Sequence, residues 1–387
     1  MKIAFLCSSL APGRDGVGDY TRQLATACGG LGHVCLLVAL HDRHTPPAAG
    51  VIERPNEVRL SSTLPWPRRA ELLAELFRQF DPHWLSWQLV PYGFHAKGIL
   101  PPGCFRLLEA ARPWHNHVML HELWLGLADR DPLQSRLIGT VQRAKLLTFL
   151  RRLRPACLHT TNPAYQIALA RAGWPAELLP LFGNIPIAPA SPDLAREELL
   201  ALAGLPARLN PRVAILFGTI HPQWQPEPTL HWLRCAAAHS ERPVALLSLG
   251  HCGPHGSRLL ARLAHANPEI PIVTGGVQPP DKLSRLLQAA DFAIATHPWA
   301  LIEKSGSTAT LLEHGLPVLV PRDEWRPRHG TFACARDSLL RRLDDLSPAA
   351  LDAWLAGRRP PASRLPDIAA RFTAHLSSPA PEGALVA

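Results

Sequence analysis

Residues 291–320 read DFAIATHPWALIEKSGSTATLLEHGLPVLV, and no other stretch says more about the fold. Two apolar runs within it, 292–295 and 318–320, predict buried strands. Between them lie a charged loop that ends at Lys304 and a helix that opens at Ser305. In a parallel α/β unit, such a helix N-terminus lies at the carboxyl end of a strand, where its N–H groups and dipole attract an anion. The stretch therefore predicts an anion site, and a diphosphate is the natural occupant.

Length and composition indicate a globular protein with two domains. The chain has 387 residues, of which 47% are apolar and 18% are charged, whereas one domain ordinarily has about 100 to 200 residues. No apolar run approaches the roughly 20 residues that span a bilayer. The apolar run at 3–7 is too short for a signal peptide. We therefore expect a cytoplasmic protein.

The formal net charge of +9 predicts an anionic partner. A nucleic acid is not expected, because no helix-turn-helix, zinc-finger or RNA-recognition pattern occurs. The eight cysteines form no Cys-x-x-Cys pair, and no His-x-x-x-His pair stands on a predicted helix with an acid nearby. We therefore expect neither a disulfide framework nor a metal site, and we assign the 19 histidines to the surface and to loops.

Strands and helices alternate in two series along the chain, separated by a segment rich in Ala and Pro. The pattern predicts two Rossmann-like, doubly wound parallel-sheet domains that face a central cleft. The N-terminal domain covers 1–187, a linker covers 188–210 and the C-terminal domain covers 211–377, where the last predicted strand is 318–320. A flexible tail is expected over 378–387.

Five short motifs in the C-terminal half carry a resemblance to a known family. They are Phe-Gly-Thr at 217–219, Leu-Gly at 249–250, Gly-Gly-Val at 275–277, Leu-Gln-Ala-Ala-Asp at 287–291 and Glu-His-Gly-Leu-Pro-Val-Leu-Val at 313–320. In this order and spacing, they resemble the donor domain of GT-B glycosyltransferases of the retaining family 4 (glycosyl transferases group 1). The glycine loop at 16–18 and Gly32-His33 are similar to that family as well, so the resemblance covers nearly the whole chain.

The resemblance implies the activity and the ligands. A sugar would pass from a nucleotide-diphosphate sugar, held by the C-terminal domain, to a hydroxyl of a carbohydrate or lipid-linked acceptor, held mainly by the N-terminal domain. The anomeric configuration would be retained, and neither a metal nor another cofactor would be required. Such reactions build polysaccharides, glycolipids and glycoconjugates.

The resemblance also implies a set of donor-binding residues, with the base beside 275–278 and the diphosphate on 304–308. The set is Gly16, Gly18, Thr219, His221, Gly250, Gly276, Val277, Ser305, Gly306, Ser307, Thr308, Thr310 and Glu313. Thr310 stands where the family has an acid that bonds the ribose, and Glu313 is displaced by nearly one helical turn. The loop 219–224 lacks the family's Arg and Lys, so we expect Lys304, with help from His221, to neutralise the phosphates.

Polar residues at other predicted strand ends complete the candidate site. His121 and Glu122 follow the predicted strand 117–120, and they join Glu303 and Lys304 as candidate catalytic residues. Candidate acceptor-binding residues are Asp19, Tyr20, Gln88, Tyr92 and His95. For each of these loop residues, a turn or helix cap is the competing explanation, and a simple tight turn also explains Gly16 and Gly18.

Two further functions and one further partner stay open. A nucleotide-sugar 2-epimerase also uses two such domains, and a scaffold protein with a degraded transferase site would explain Thr310. Basic and apolar residues interleave over 143–154, which is typical of a helix that packs on the core and also of one that lies on an anionic membrane. Peripheral contact with the inner face of a membrane is therefore a second expectation.

Overall fold

The computed structural model of the protein describes residues 1–328 and 337–378, which divide into two units. The first unit contains Met1–Pro180 with 327–328 and 365–378, and the second contains Leu181–Arg326 with 337–364. The structure thus groups 365–377 with the first unit, whereas the sequence pattern assigned this segment to the C-terminal domain. Apart from Ser378, the predicted flexible tail lies outside the described residues.

The first unit is built on an eight-stranded sheet with the order β3-β4-β2-β1-β5-β6-β7-β8, parallel except for the antiparallel β3–β4 pair. Its strands are β1 (Lys2–Cys7), β2 (Val34–Asp42), β3 (Val51–Arg54), β4 (Glu57–Ser61), β5 (Trp84–Leu89), β6 (His115–Leu120), β7 (Cys157–Thr160) and β8 (Glu177–Leu178). Its helices, numbered along the whole chain, are α1 (Gly16–Gly30), α2 (Trp66–Phe80), α3 (Leu107–Ala111), α4 (Leu133–Leu153), α5 (Pro163–Arg171) and α12 (Leu365–Ser377).

The second unit contains a six-stranded sheet with the order β11-β10-β9-β12-β13-β14, in which every pair is parallel. Its strands are β9 (Arg212–Phe217), β10 (Val244–Leu249), β11 (Ile272–Gly276), β12 (Phe292–Ile294), β13 (Val318–Val320) and β14 (Leu340–Arg342). Its helices are α6 (Pro192–Ala203), α7 (Pro226–Ser240), α8 (Gly253–Ala266), α9 (Pro280–Ala289), α10 (Gly306–Glu313) and α11 (Leu351–Leu355).

Alternate residues of β9 explain why helices cover both faces of the second sheet. Ala214 and Leu216 pack into one apolar cluster, whereas Val213 and Ile215 pack into another. A strand buried on both faces reads as a continuous apolar run, as parallel sheets require. The prediction of two doubly wound α/β units is confirmed. The prediction that 318–320 is the last strand is wrong, because β14 pairs with β13. The sequence does not predict β14, because its three residues include two arginines and show no apolar alternation.

The chain reverses its strand order beside β9, since β10 and β11 lie on one side and β12 to β14 on the other. Ligands of open α/β sheets bind outside the carboxyl ends of the strands at such a switch point. In the first unit, the corresponding position is between β1 and β5. The fold therefore provides one candidate position in each unit.

Helix α4 contains most of the basic segment 143–154, for which the sequence predicts either packing on the core or contact with a membrane. Leu146, Phe149 and Leu150 are buried, so the apolar face of this half of α4 packs into the unit. Exposed apolar residues lie instead in the first half of the helix, at Leu133 and Leu137. Among the described residues, no helix combines the length and the apolar character that crossing a bilayer requires.

Candidate anion site in the second unit

A pocket opens at the switch point of the second sheet. It is lined by Leu216–Ile220 after β9, by 294–297 after β12, and by residues of α10 and its N-cap, which are Ser305, Ser307, Thr308 and Leu311. The segment that the sequence analysis singled out therefore forms one wall of the pocket. All of these lining residues belong to the second unit.

The N-terminus of α10 leaves one buried hydroxyl without a partner. Ser305 is the N-cap, and its Oγ accepts a hydrogen bond from Thr308 N at 3.2 Å. The Oγ1 of Thr308 has no hydrogen-bond partner within the described parts of the chain, although the residue is only 3% exposed. A buried hydroxyl without a partner costs about 1–3 kcal/mol. This hydroxyl and the N–H groups of Gly306 and Ser307, the first two residues of the helix, are therefore available to an anion in the pocket.

Gly218 holds the opposite wall close to the helix. Its φ of +79° lies in the left-handed region, and a Cβ at this position would come within 2.8 Å of Ser307 Oγ. Glycine is thus required here for both the backbone conformation and the close approach. The sequence motif at 217–219 points to this loop, although the candidate residue chosen from it was Thr219, which is exposed and donates to His251 O at 3.4 Å.

Two histidines in this region are neutral at neutral pH. Burial lowers the pKa of His221 to about 4, with further contributions from the charges of Arg322 and Lys304. Burial lowers the pKa of His297 to about 4 as well, and Lys304 again adds to the effect. The two rings meet edge to face, with centroids 5.8 Å apart. Without a bound anion, His221 therefore supplies a hydrogen-bonding group and no positive charge.

Arg322 is a cation that the sequence analysis missed. It follows β13, and its guanidinium donates to Thr296 O at 3.2 Å and to Gln223 Oε1 at 3.1 Å, while Glu324 pairs with it. Thr296 Oγ1 in turn accepts a hydrogen bond from His221 N at 3.0 Å. Arg322 thus ties together the loops that follow β9, β12 and β13. The sequence signal is an arginine just beyond an apolar strand, whereas the predicted cation is Lys304.

The glycines predicted to bind the donor shape adjoining strand ends. Gly250 has a φ of +80° and donates to Gly276 O at 2.8 Å, and Gly276 has a φ of +65°. Beyond this pair, Val277 is 74% exposed at the end of β11. The structure therefore places an exposed apolar side chain where the family resemblance puts the base.

Thr310 and Glu313 lie on α10 but contact the loop 182–184. Thr310 Oγ1 accepts from Asn184 N at 3.1 Å and donates to Gly306 O at 3.0 Å. The Glu313 carboxylate accepts from Gly183 N at 2.9 Å, and burial raises its pKa. These contacts show both side chains holding that loop, so ribose binding by either remains a prediction. Glu303 and Lys304 are half-buried and end the 3₁₀ turn Trp299–Lys304, which replaces the expected loop.

The glycine loop of the first unit differs from α10, because Asp15 caps α1. Asp15 Oδ1 accepts from Val17 N at 2.9 Å and Gly18 N at 3.0 Å. A Cβ on Gly18 would come within 2.3 Å of Ser9 O, whereas one on Gly16 would meet nothing within 4 Å. The described contacts therefore explain Gly18 by close packing of α1 on the loop after β1. Donor binding by Gly16 and Gly18 stays a prediction.

The Asp19 carboxylate accepts a hydrogen bond from Gly13 N at 3.1 Å, and burial raises its pKa. This contact closes the turn that precedes α1. The competing explanation for Asp19 is an acid in the first helical turn that the helix dipole favours, and the structure places Asp19 in the first turn of α1.

Three predicted residues of the first unit form one cluster. His121 Nε2 donates to Gln88 Oε1 at 2.9 Å, and the Tyr20 ring packs edge to face on His121 at 4.9 Å. Burial lowers the pKa of His121 to about 3 and raises that of Tyr20. Glu122 is half-buried beside the cluster in sequence. The imidazole is therefore neutral, with Nδ1 as its remaining acceptor.

Tyr92 and His95 make different contacts. Tyr92 accepts from Gln142 at 3.1 Å, and His95 Nδ1 accepts from Lys97 N at 3.2 Å. The first contact ties the loop after β5 to α4, and the second lies within that loop. A role of either residue in acceptor binding remains a prediction.

No protein-family description and no curated protein matches the chain. Several solved structures are similar to it. HepE from Anabaena, determined with UDP-glucose, is 16% identical with a TM-score of 0.55, and the match covers 97% of this chain and 99% of that one. A sucrose-phosphate synthase from Thermosynechococcus elongatus is 14% identical with a TM-score of 0.52, covering 84% and 82%.

A third similar structure is a putative UDP-N-acetylglucosamine 2-epimerase from Listeria monocytogenes, which is 12% identical with a TM-score of 0.50, covering 97% and 96%. Together, the two Rossmann-like units and these matches show that the chain has the GT-B fold, as the sequence predicted. Because transferases and an epimerase share this fold, the fold alone does not separate the two activities.

Proposed function

We propose that the protein is a glycosyltransferase that takes a sugar from a nucleoside-diphosphate sugar. The observation that carries the proposal is the pocket at the β9/β12 switch point. A helix N-terminus and the buried Thr308 hydroxyl can donate hydrogen bonds to an anion in this pocket. Lys304 and Arg322 contribute positive charge, since both depress the pKa of His221. A diphosphate satisfies all of these groups at once.

The sheet also fits the rest of a nucleotide. Strand β11 is two positions from β9, which is about 10 Å at the usual strand spacing. The exposed Val277 at its end offers an apolar surface to a base, while the diphosphate occupies the pocket beside β9. The UDP and UDP-glucose bound in the HepE structures make uracil the first base to test.

In the proposed reaction, an acceptor hydroxyl attacks the anomeric carbon while the bond from that carbon to the phosphate oxygen breaks. The bonding electrons pass to the departing diphosphate, and the N-terminus of α10 with Lys304 stabilises the growing negative charge. The hydroxyl proton passes to the leaving phosphate oxygen, so attack and departure share one face and the configuration is retained. His221 and His297, both neutral, would donate hydrogen bonds to the phosphates.

The acceptor is assigned to the first unit, with His121, Gln88 and Tyr20 as its first candidates. Since the pKa of His121 is about 3, this side chain does not act as an acid at neutral pH. It would instead orient an acceptor or sugar hydroxyl through one hydrogen bond. A lipid-linked acceptor and peripheral membrane contact are also part of the proposal.

The experiment measures nucleoside diphosphate release from a panel of nucleotide sugars, with UDP-glucose first, in the presence of carbohydrate and lipid-linked acceptors. Lys304→Ala should lower turnover by about tenfold or more, because one charge-assisted contact to the leaving group is lost. Lys282→Ala is the matched control, since this lysine pairs with Glu198 at 3.7 Å and is not among the residues that line the pocket. Unchanged turnover in a folded Lys304→Ala protein would contradict the role of Lys304.

The same donors without an acceptor separate the alternatives. Formation of the 2-epimer would favour an epimerase. If no nucleotide sugar raises the unfolding temperature in a concentration-dependent manner, a scaffold is favoured, because binding to the folded state must stabilise it.

A further inference from the structure

A cluster of histidines lies inside the first unit, at the edge of the sheet farthest from β3. His117 and His159 are fully buried on the neighbouring strands β6 and β7, and His375 lies in the last turn of α12. The assignment of the histidines to the surface and to loops is therefore wrong for these two strand residues. Helix α12 is held in place by Phe372, whose ring packs 5.7 Å from Phe5 and 5.1 Å from His117.

Three ligand atoms converge on one point in this cluster. His159 Nε2 lies 2.7 Å from His375 Nδ1, and His375 Nδ1 lies 3.1 Å from Glu177 Oε2. All three atoms lie within 4.8 Å of one another. From this geometry we propose that His159 Nε2, Glu177 Oε2 and His375 Nδ1 bind a divalent transition-metal ion of the Zn²⁺ type.

The count of protons explains why an ion fits better than hydrogen bonds alone. A neutral imidazole carries a single N–H, so a proton on His375 Nδ1 cannot be donated fully to both His159 and Glu177. His159 is fully buried, and burial favours the neutral form of an imidazole. The lone pairs of two neutral imidazoles and a carboxylate then face one another, which is the ligand set of His₂Glu zinc sites.

The surrounding hydrogen bonds hold the ligand in the required tautomer. If His159 Nε2 binds the metal, its Nδ1–H donates to His117 Nε2 at 2.9 Å, and His117 Nδ1–H donates to Ser86 Oγ at 2.8 Å. Each N–H in this chain then has an acceptor. Histidine ligands of metals ordinarily have such a partner on the second ring nitrogen. His117 is therefore a positioning residue of the proposed site.

A small movement of the ligand side chains makes room for the ion between His159, His375 and Glu177. Ligand nitrogens about 2.0–2.1 Å from Zn²⁺ in a tetrahedral site are roughly 3.3 Å apart, so His159 and His375 must separate by about 0.6 Å. The side chains of His375 and Glu177 are 25% and 66% exposed, which leaves them room to move and opens the fourth position to water. The ion would join α12 to β8 and to β7, whose ligand His159 lies 216 residues before His375.

The test uses full-length protein that has been stripped with a chelator and reloaded with Zn²⁺ alone. Wild type should retain one Zn²⁺ per chain after gel filtration, as measured by mass spectrometry of the metal. His375→Ala and Glu177→Ala should each weaken Zn²⁺ binding at least about tenfold in competition with a chromogenic chelator. Both side chains reach solvent, so these variants are expected to fold. His265→Ala removes an exposed histidine of the second unit and should bind as wild type does.

A second measurement reports on the ligand geometry. Co²⁺ in place of Zn²⁺ should give the intense visible absorption of a four-coordinate ion, and His375→Ala should abolish it. Equal Zn²⁺ retention by wild type, His375→Ala and Glu177→Ala would overturn the proposal, as would the absence of Zn²⁺ from wild type. Neither measurement involves a nucleotide sugar, so this site and the proposed transferase activity can fail independently.

Discussion

In each unit, a helix follows a central strand of the sheet: α1 in the first unit and α10 in the second. The two helices have different N-cap residues. Asp15 caps α1 and places a carboxylate on the N–H groups of Val17 and Gly18. Ser305 caps α10 and brings no charge. The N–H groups of Val17 and Gly18 in α1 already have an anion from the chain itself, whereas the Thr308 hydroxyl of α10 has no partner among the described residues.

This difference predicts that the N-terminus of α10, and not that of α1, binds an external anion. The dipoles of the two helices are of the same kind, and both helices follow a parallel strand. What separates them is the charge of one N-cap side chain and the cations nearby. Lys304 and Arg322 are close enough to depress the pKa of both His221 and His297. Exchanging the two N-cap residues, Ser305 and Asp15, tests this difference.

The largest effect is expected from Ser305→Asp, which gives α10 the cap of α1. An Asp N-cap is as favourable as Ser, so the helix should keep its stability. A carboxylate about 5 Å from a phosphate, at an effective dielectric of about 20, repels it by roughly 3 kcal/mol, which raises the Kd about a hundredfold. Isothermal titration with UDP measures this change.

The reciprocal variant is the control for this exchange. Asp15→Ser in α1 should leave the Kd for UDP unchanged, because the proposed diphosphate site lies in the second unit. If Asp15→Ser weakened UDP binding as much as Ser305→Asp did, the assignment of the diphosphate to α10 would be wrong.

The sequence predicts the N-terminus of α10 well, but it does not predict that of α1. The 291–320 segment has apolar runs of strand length, a serine at the N-cap and a following Gly, so local signals agree with the tertiary structure. At α1, the glycines at 16 and 18 suggested an anion loop, although Asp15 is itself a favoured N-cap residue. The close approach of Gly18 to Ser9 depends on packing, which no local signal reports.

Arg322 illustrates a second limit. Its place beside the loop 219–224 follows from the strand order, which puts β12 and β13 on the far side of β9 from β10. A cation missing from one strand end can thus be replaced by one from another strand end. The same holds for His117 and His159, which are single polar residues in predicted strands. Only the pairing of β6 with β7 brings them together.

A smaller effect is expected at two threonines of α10 that differ only in their hydrogen bonds. Both are buried, but Thr310 Oγ1 makes two hydrogen bonds, whereas Thr308 Oγ1 makes none to the described residues. Thr308→Val should leave stability unchanged or raise it, and it should weaken UDP binding by about fivefold, the equivalent of about 1 kcal/mol.

Thr310→Val is the matched control and should behave in the opposite way. It leaves Asn184 N without its acceptor, so the free energy of unfolding should fall by roughly 1–3 kcal/mol. Denaturant unfolding and UDP titration of both variants supply the four values. If Thr308→Val lost stability while keeping its UDP affinity, the buried hydroxyl would serve the fold and not the ligand.

The smallest effect is expected from pH, and it tests the α10 site through its two histidines with a depressed pKa. His221 and His297 titrate near pH 4 in the free protein, and a bound diphosphate must raise their pKa. The complex then holds more protons than the free protein, so the affinity should rise as the pH falls from 8 toward 5.5, by at most about tenfold per unit for one proton. UDP-glucose is the suitable ligand, since it lacks the second phosphate ionisation near pH 6. The double variant with His221→Gln and His297→Gln should flatten the profile.

The pH range of this experiment stops at 5.5 because burial also depresses the pKa of His121 and His159 to about 3. The stability that these neutral imidazoles contribute is complete above their unfolded pKa of about 6.5 and is lost as the pH falls toward the folded values. A profile that stays steep in the double variant would place the titrating group elsewhere.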